Sequence, residues 1–196
     1  MFVQIIKGTT KDAAGVRRQG ERWNTDVRPG AIGFLGSTVG VSEGGTFFAI
    51  ARFADAASAR ANSERPEQSA WWSETAKLFA AEPTFRETTD ITTLLDGGSD
   101  SAGFVQVMEG TVENRAKAEA METDEMLAQL RAARPDLIGS VRMWLGGGAF
   151  VEAAYFTSEE AAREGETSAE FEGAAQDFAA LFGEMTYTDL RDPILM

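Results

Sequence analysis

The residues of this chain best placed to do chemistry are an arginine and a glutamate that face each other across a glycine turn. Gly146-Gly147-Gly148 reads as a three-residue hairpin connection, so Leu145 opposes Ala149. Counting outward sets Trp144 against Phe150, Arg142 against Glu152 and Ser140 against Ala154. Side chains alternate across a strand, which gives one face Ser140, Arg142, Trp144, Phe150 and Glu152, and the other Val141, Met143, Leu145, Val151 and Ala153. A face covered by helices is expected to be apolar. That assigns the valine-rich set to the helices and turns Arg142 and Glu152 toward an interior hollow. There the pair is poorly screened and able to anchor a ligand; on an open sheet it is an ordinary cross-strand contact worth roughly a few tenths of a kcal/mol. The first-half counterparts, Gly36 and Ala49 with Thr38 and Phe47 beside them, favour the hollow. One half then supplies polar anchors and the other supplies room and apolar surface, the usual make-up of a small-molecule pocket.

Gln4 and Gln106 stand at matching strand positions and join Ser140 and Trp144 on the inward face. Their plainer explanation is inheritance from an ancestral single domain, with the amides pairing across an internal dyad. Trp71 and Trp72 lie on the second helix of the first half, where the second copy has Ala174 and Ala175. Adjacent helical residues point about 100° apart. At most one of the two is therefore expected to pack squarely on the sheet, the other standing near its edge; Trp72 is the one taken toward a ligand, as a pocket lid. Arg52 and Tyr155 match each other on the third strands, on the helix side by this parity, and replace Arg142 and Glu152 as the site if the parity is reversed. Gly30, Gly33 and Gly36 fall within a strand and so form no phosphate loop. Glu122, Asp124 and Glu125, like Glu159 and Glu160, read as solvated helix starts and faces rather than metal cages.

The elements that must position these residues are written twice. Phe2-Val3-Gln4-Ile5-Ile6-Lys7-Gly8-Thr9 returns 102 residues later as Phe104-Val105-Gln106-Val107-Met108-Glu109-Gly110-Thr111, with five of eight positions identical. Arg28-Pro29 returns as Arg134-Pro135, and Ala76-Lys77-Leu78-Phe79 as Ala179-Ala180-Leu181-Phe182. A period near 100 residues suits a small domain rather than a solenoid unit. Within each copy an alternating branched strand leads into a capped helix, then a hairpin, a second helix and a closing strand, the order βαββαβ. The second copy is four residues longer across its first helix. The expected division is residues 1–95, a glycine- and serine-rich linker over 96–103, and residues 104–196.

Composition narrows the function. Acidic residues outnumber basic ones 31 to 18, and a net charge of −13 argues against nucleic acid or an anionic membrane surface as partner. No run approaches the roughly 18 to 20 apolar residues of a membrane span, and strand pattern begins at Phe2, so a cytoplasmic protein is expected. With no cysteine there is no disulfide or thiolate chemistry; with no histidine there is no histidine-based triad, haem ligation or ordinary zinc site. The excess of arginine over lysine and the abundance of alanine point to a GC-rich bacterial genome.

The βαββαβ order is the ferredoxin-like unit, and in duplicate it resembles the dimeric α+β barrel proteins, among them the antibiotic-biosynthesis monooxygenase-like domains. The resemblance covers both halves but rests on element order, duplication and half-length rather than on a diagnostic motif. It implies an α+β fold in which two tandem ferredoxin-like units form a pseudo-dimeric barrel within one chain. A monomer then suffices, and a homodimer is compatible with it. It also implies a small aromatic or hydrophobic ligand and oxidation of an aromatic, polyketide-like substrate by dioxygen with no haem, metal or flavin cofactor. On that reading Arg142 stabilises a phenolate, Glu152 accepts its proton, and Trp144 stacks on the ring. The histidine-dependent, haem-degrading branch is excluded. The alternative is a non-catalytic binder or scaffold for a small hydrophobic molecule.

Overall fold

Both copies of the repeated strand enter a five-stranded sheet. The computed structural model describes residues 1–167 and 182–196. In the first unit β1 (Phe2–Thr9) leads to α1 (Ala13–Arg22), which Asp12 caps by accepting from the Gly15 amide at 2.7 Å. The helix widens into a π-helical turn, Trp23–Val27, and ends in a 3₁₀ turn at Arg28–Gly30, where proline stops the ladder. The hairpin β2 (Phe34–Val41) and β3 (Thr46–Phe53) follows, then α2 (Ala56–Ser63), α3 (Pro66–Thr75) and β4 (Thr84–Thr88). Proline at the first position of α3 explains the interruption in the helical stretch.

The second unit repeats the order. It contains β5 (Ile91–Leu95), β6 (Phe104–Thr111), α4 (Arg115–Met121), α5 (Asp124–Ala133), β7 (Leu137–Gly146), β8 (Ala149–Phe156), α6 (Glu159–Glu166) and β9 (Thr186–Arg191). A last short strand, β10 (Ile194–Leu195), completes the elements of the described residues. Ala174 and Ala175 lie outside the described residues, as do the three residues before Phe182 in the repeated tetrapeptide.

The sheets run β10-β2-β3-β1-β4 and β5-β7-β8-β6-β9. Each therefore has a ferredoxin-like core of four strands and a fifth strand drawn from the other copy's sequence. The compact units are residues 1–89 with 190–196, and residues 90–189, rather than 1–95 and 104–196. Ile91–Leu95 leave the first half because they pair with β7, Ile91 opposite Met143 through Leu95 opposite Gly139. Ile194 and Leu195 return to pair with Val39 and Thr38.

The hairpin register agrees with the counting from sequence: Arg142 faces Glu152, Trp144 faces Phe150 and Ser140 faces Ala154. The turn is shorter than expected. Gly146 pairs with Ala149, Leu145 is a bulge, and Gly147 and Gly148, with φ of 59° and 79°, form the two-residue loop.

Candidate functional site

The expected parity of the strands is reversed. In the second unit Ala118 of α4 packs on Trp144 and Phe150, and Ala162 of α6 packs on Phe104, Ala154 and Phe156. The face carrying Gln106, Ser140, Arg142, Trp144 and Glu152 is therefore the one beneath the helices. Val141, Met143, Val151 and Ala153, expected there, lie on the opposite face and are buried as completely. Polarity misled the assignment because the charges are matched locally. Arg142, 1% exposed, donates from Nε to Glu152 Oε2 at 2.7 Å and from Nη1 to Glu122 Oε1, while Ser140 Oγ donates to Glu152 Oε1 at 2.6 Å. Glu122 is thus no solvated helix start. The four extra residues of the second copy coincide with a break between α4 and α5, and Glu122 sits at that break, pointing inward.

The electrostatics follow from the burial. Burial works against the Arg142 charge, but the Glu152 and Glu122 carboxylates outweigh it and hold the guanidinium more firmly protonated than usual. Burial pushes the Glu122 carboxyl above its ordinary range despite Arg142 beside it. Trp144 is committed as well. Its Nε1 donates to Thr92 Oγ1 at 3.0 Å, and the guanidinium carbons of Arg115 and Arg142 lie 4.3 and 5.4 Å from its ring centroid. Gln106 donates to Asp189 at 3.0 Å, as Gln4 donates to Glu87 at 2.9 Å. Each glutamine therefore bonds to an acid 83 residues on within its own unit, in place of the expected amide pairing across a dyad. Arg52 and Tyr155 lie on the face away from the helices, since Arg52 pairs with Val3 and Tyr155 with Val105.

In the first unit the register places Val39 opposite Ala49, where the second unit has Arg142 opposite Glu152. The two hairpins correspond residue for residue, Gly36 opposite Arg52 matching Gly139 opposite Tyr155, so Val39, rather than Gly36, is the counterpart of Arg142. Small apolar residues here leave a cavity of about 100 Å³ between the sheet and the helices. Its floor includes Gln4, Val39, Ala49 and Ala51. Its roof is two helical stripes: Val16, Gln19, Gly20 and Trp23 from α1 into the π-turn, and Gln68, Trp71, Trp72 and Thr75 from α3. Both have the i, i+3, i+4, i+7 spacing of an inward helix face. Both adjacent tryptophans therefore line the cavity, and Trp72 also contacts Phe85, 47% exposed, at 5.4 Å.

Polar groups hold the walls in place. Trp71 Nε1 donates to the Gln19 carbonyl at 2.8 Å, tying α3 to α1. Trp23 Nε1 donates to Gln68 Oε1 at 2.8 Å, and Arg65 Nη1 to Asn62 Oδ1 at 3.1 Å. None of the side chains lining the cavity is ionisable. Of the residues singled out from sequence, the structure brings Gln4, Trp71 and Trp72 together here and gathers Ser140, Arg142, Trp144 and Glu152 in the second unit. Trp23, Asn62, Gln68 and Gln19 were missed, although the twin helical spacings could have found all but Asn62. Among the described residues no cluster of acidic side chains is arranged to hold a metal ion, and no helix is long and apolar enough to cross a membrane.

No family model matches the chain, and no curated protein matches it. Solved structures do. A candidate monooxygenase from Lactobacillus acidophilus NCFM is 14% identical with a TM-score of 0.73, covering 100% of this chain and 98% of that one. A candidate monooxygenase from Fusobacterium nucleatum is 8% identical with a TM-score of 0.77, covering 98% and 92%. An anthrone oxidase-like protein is 12% identical with a TM-score of 0.61, covering 100% and 92%. At these identities the likeness is one of fold: a mixed α+β chain of two five-stranded antiparallel sheets, shared along its whole length with monooxygenase-like proteins.

Proposed function

We propose that the first unit binds a small, uncharged aromatic molecule between its sheet and α1 and α3. The observation that carries this reading is the cavity of about 100 Å³ walled by Trp23, Trp71, Trp72, Phe34, Phe47 and Phe53 and free of ionisable side chains. Aromatic walls with a few amides suit a flat apolar ligand held by contact and oriented by hydrogen bonds. The volume is of the order of the roughly 150 Å³ apolar cavity that takes up benzene. It falls well short of the roughly 300 Å³ at which drug-sized pockets begin. The reading therefore favours one ring over a fused polyketide.

The Arg142, Glu152, Glu122 and Ser140 cluster is on this reading structural, its donors and acceptors already matched among themselves. Oxidation of the bound ring by dioxygen, without haem, metal or flavin, is the second reading. It draws on the whole-chain likeness to the candidate monooxygenases. No side-chain carboxylate lines the cavity, so on this reading no lining side chain is placed to take a proton from the substrate.

Three of the chain's four tryptophans line the cavity, so intrinsic fluorescence reports on occupancy directly. Titration with single-ring aromatics is expected to change the emission saturably, and Ala49→Leu, which fills the floor, to abolish the change at the cost of about 1–3 kcal/mol. Saturable binding that survives Ala49→Leu in full would place the ligand elsewhere. Oxygen uptake in the presence of any ligand found separates turnover from binding.

A further inference from the structure

The two units place a serine at the same point of the same strand and give it different company. In the second unit Ser140 stands opposite Ala154, and its Oγ donates to Glu152 Oε1 at 2.6 Å. In the first unit Ser37 stands opposite Ala51, and Ala49 takes the place of Glu152. The acceptor has gone and the hydroxyl remains. Ser37 shares the inward face with Ala49 and Ala51 and lines the cavity, 6% exposed. Its Oγ has no hydrogen-bond partner among the described residues, where the one unpaired side-chain oxygen or nitrogen closed to water is Gln19 Oε1. The Ser37 hydroxyl is therefore open to the cavity. A hydroxyl set among apolar walls gives up most of its hydration, and buried groups of this kind are nearly always paired.

We propose that Ser37 orients the ligand of the first unit by donating a hydrogen bond to a neutral carbonyl oxygen carried on the aromatic ring. This rests on reading the cavity as a ligand site and narrows the class of ligand: a single ring bearing one carbonyl. Ala49 leaves open, over the floor, the volume that the Glu152 side chain fills in the second unit, and there the matching serine reaches an oxygen at 2.6 Å. A ligand oxygen in that volume takes up the unused donor. An ionised carboxylate is excluded from the class, because Val39 stands where the second unit has Arg142 and no cationic side chain lines the cavity.

The test is a calorimetric comparison of benzaldehyde, toluene and benzoate binding to the full chain and to Ser37→Ala, at about pH 7, where benzoate is ionised. Benzaldehyde and toluene differ chiefly in the carbonyl, so the change in their affinity ratio on substitution reads the hydrogen bond apart from packing. That ratio is expected to fall about tenfold in Ser37→Ala, close to 1.4 kcal/mol, with toluene binding within about twofold of wild type. Benzoate is expected to bind wild type about a hundredfold more weakly than benzaldehyde, or not at all. A ratio unchanged by the substitution overturns the role of Ser37 while leaving the cavity as a ligand site, as does toluene binding without benzaldehyde. Benzoate matching benzaldehyde overturns the neutral class. If none of the three binds folded wild type, the ligand-site reading itself falls. Should Ser37→Ala fail to fold, Ser37→Cys, whose thiol donates only weakly, is expected to lower the same ratio, and an unchanged ratio there overturns the proposal equally.

Discussion

Arg142 draws its role from the residues around it. A guanidinium with two carboxylate partners, beneath helices and among the rings of Trp144, Phe150 and Phe182 at 5.1–5.6 Å, is held by groups that would otherwise repel each other. Removing it leaves Glu122 and Glu152 buried without a counter-charge. Arg142→Met is therefore expected to cost about 3–5 kcal/mol, read as a lower urea midpoint. Adding Glu152→Leu should recover part of that loss, because the uncompensated charge goes with it. Binding of a single-ring ligand in the first unit, normalised to folded protein, should be unchanged. A stable single mutant that loses ligand binding would return Arg142 to the site. The pair was legible from counting across the turn, but Glu122 was not. It lies some twenty residues away in sequence, and nothing in its local pattern separates it from Asp124 and Glu125, which do face solvent.

At the scale of elements, the break between α4 and α5 explains how a carboxylate reaches the core. Thr123 caps α5 by accepting from the Met126 amide at 3.2 Å, so a new helix begins where the first copy continues through its π-turn. Burial raises the Glu122 carboxyl above its ordinary value of 4.5. The folded chain thus holds this proton more readily than the unfolded one. The stabilising contribution is complete below the ordinary value and is lost as pH rises through the raised one. Glu122→Gln removes that loss. The urea midpoint of the variant, relative to wild type, is expected to rise as pH is raised above the ordinary value of 4.5; a pH-independent difference would contradict the shift. The strands teach a related lesson about parity. A rule that polar residues avoid the helix-covered face fails where a helix supplies its own counter-charge, and alternation has no contrast to offer when Val3, Ile5, Val105 and Val107 on the other face are also fully buried.

At the scale of the molecule, each sheet is completed by a strand encoded in the other copy. A fragment of residues 1–95 carries β5 without β7 and lacks β10, while residues 96–196 carry β10 without β2 and lack β5. Both fragments expose an unpaired edge. Each alone is expected to melt well below the intact chain, and mixing them to raise the melting temperature by mutual completion; fragments as stable alone as the whole would show that the exchanged strands contribute little. The echo of residues 2–9 in residues 104–111, the βαββαβ order and the Arg142–Glu152 register were determined by the sequence itself, since strand pattern, capping residues and turn glycines act over short distances along the chain. Only the tertiary structure decided which face the helices cover, which sheet receives residues 91–95 and 194–195, and that the hollow lies over Val39 and Ala49 rather than beside Arg142. Those outcomes depend on which distant side chains meet, and burial and charge matching are properties of the neighbours in space rather than of the residues in order.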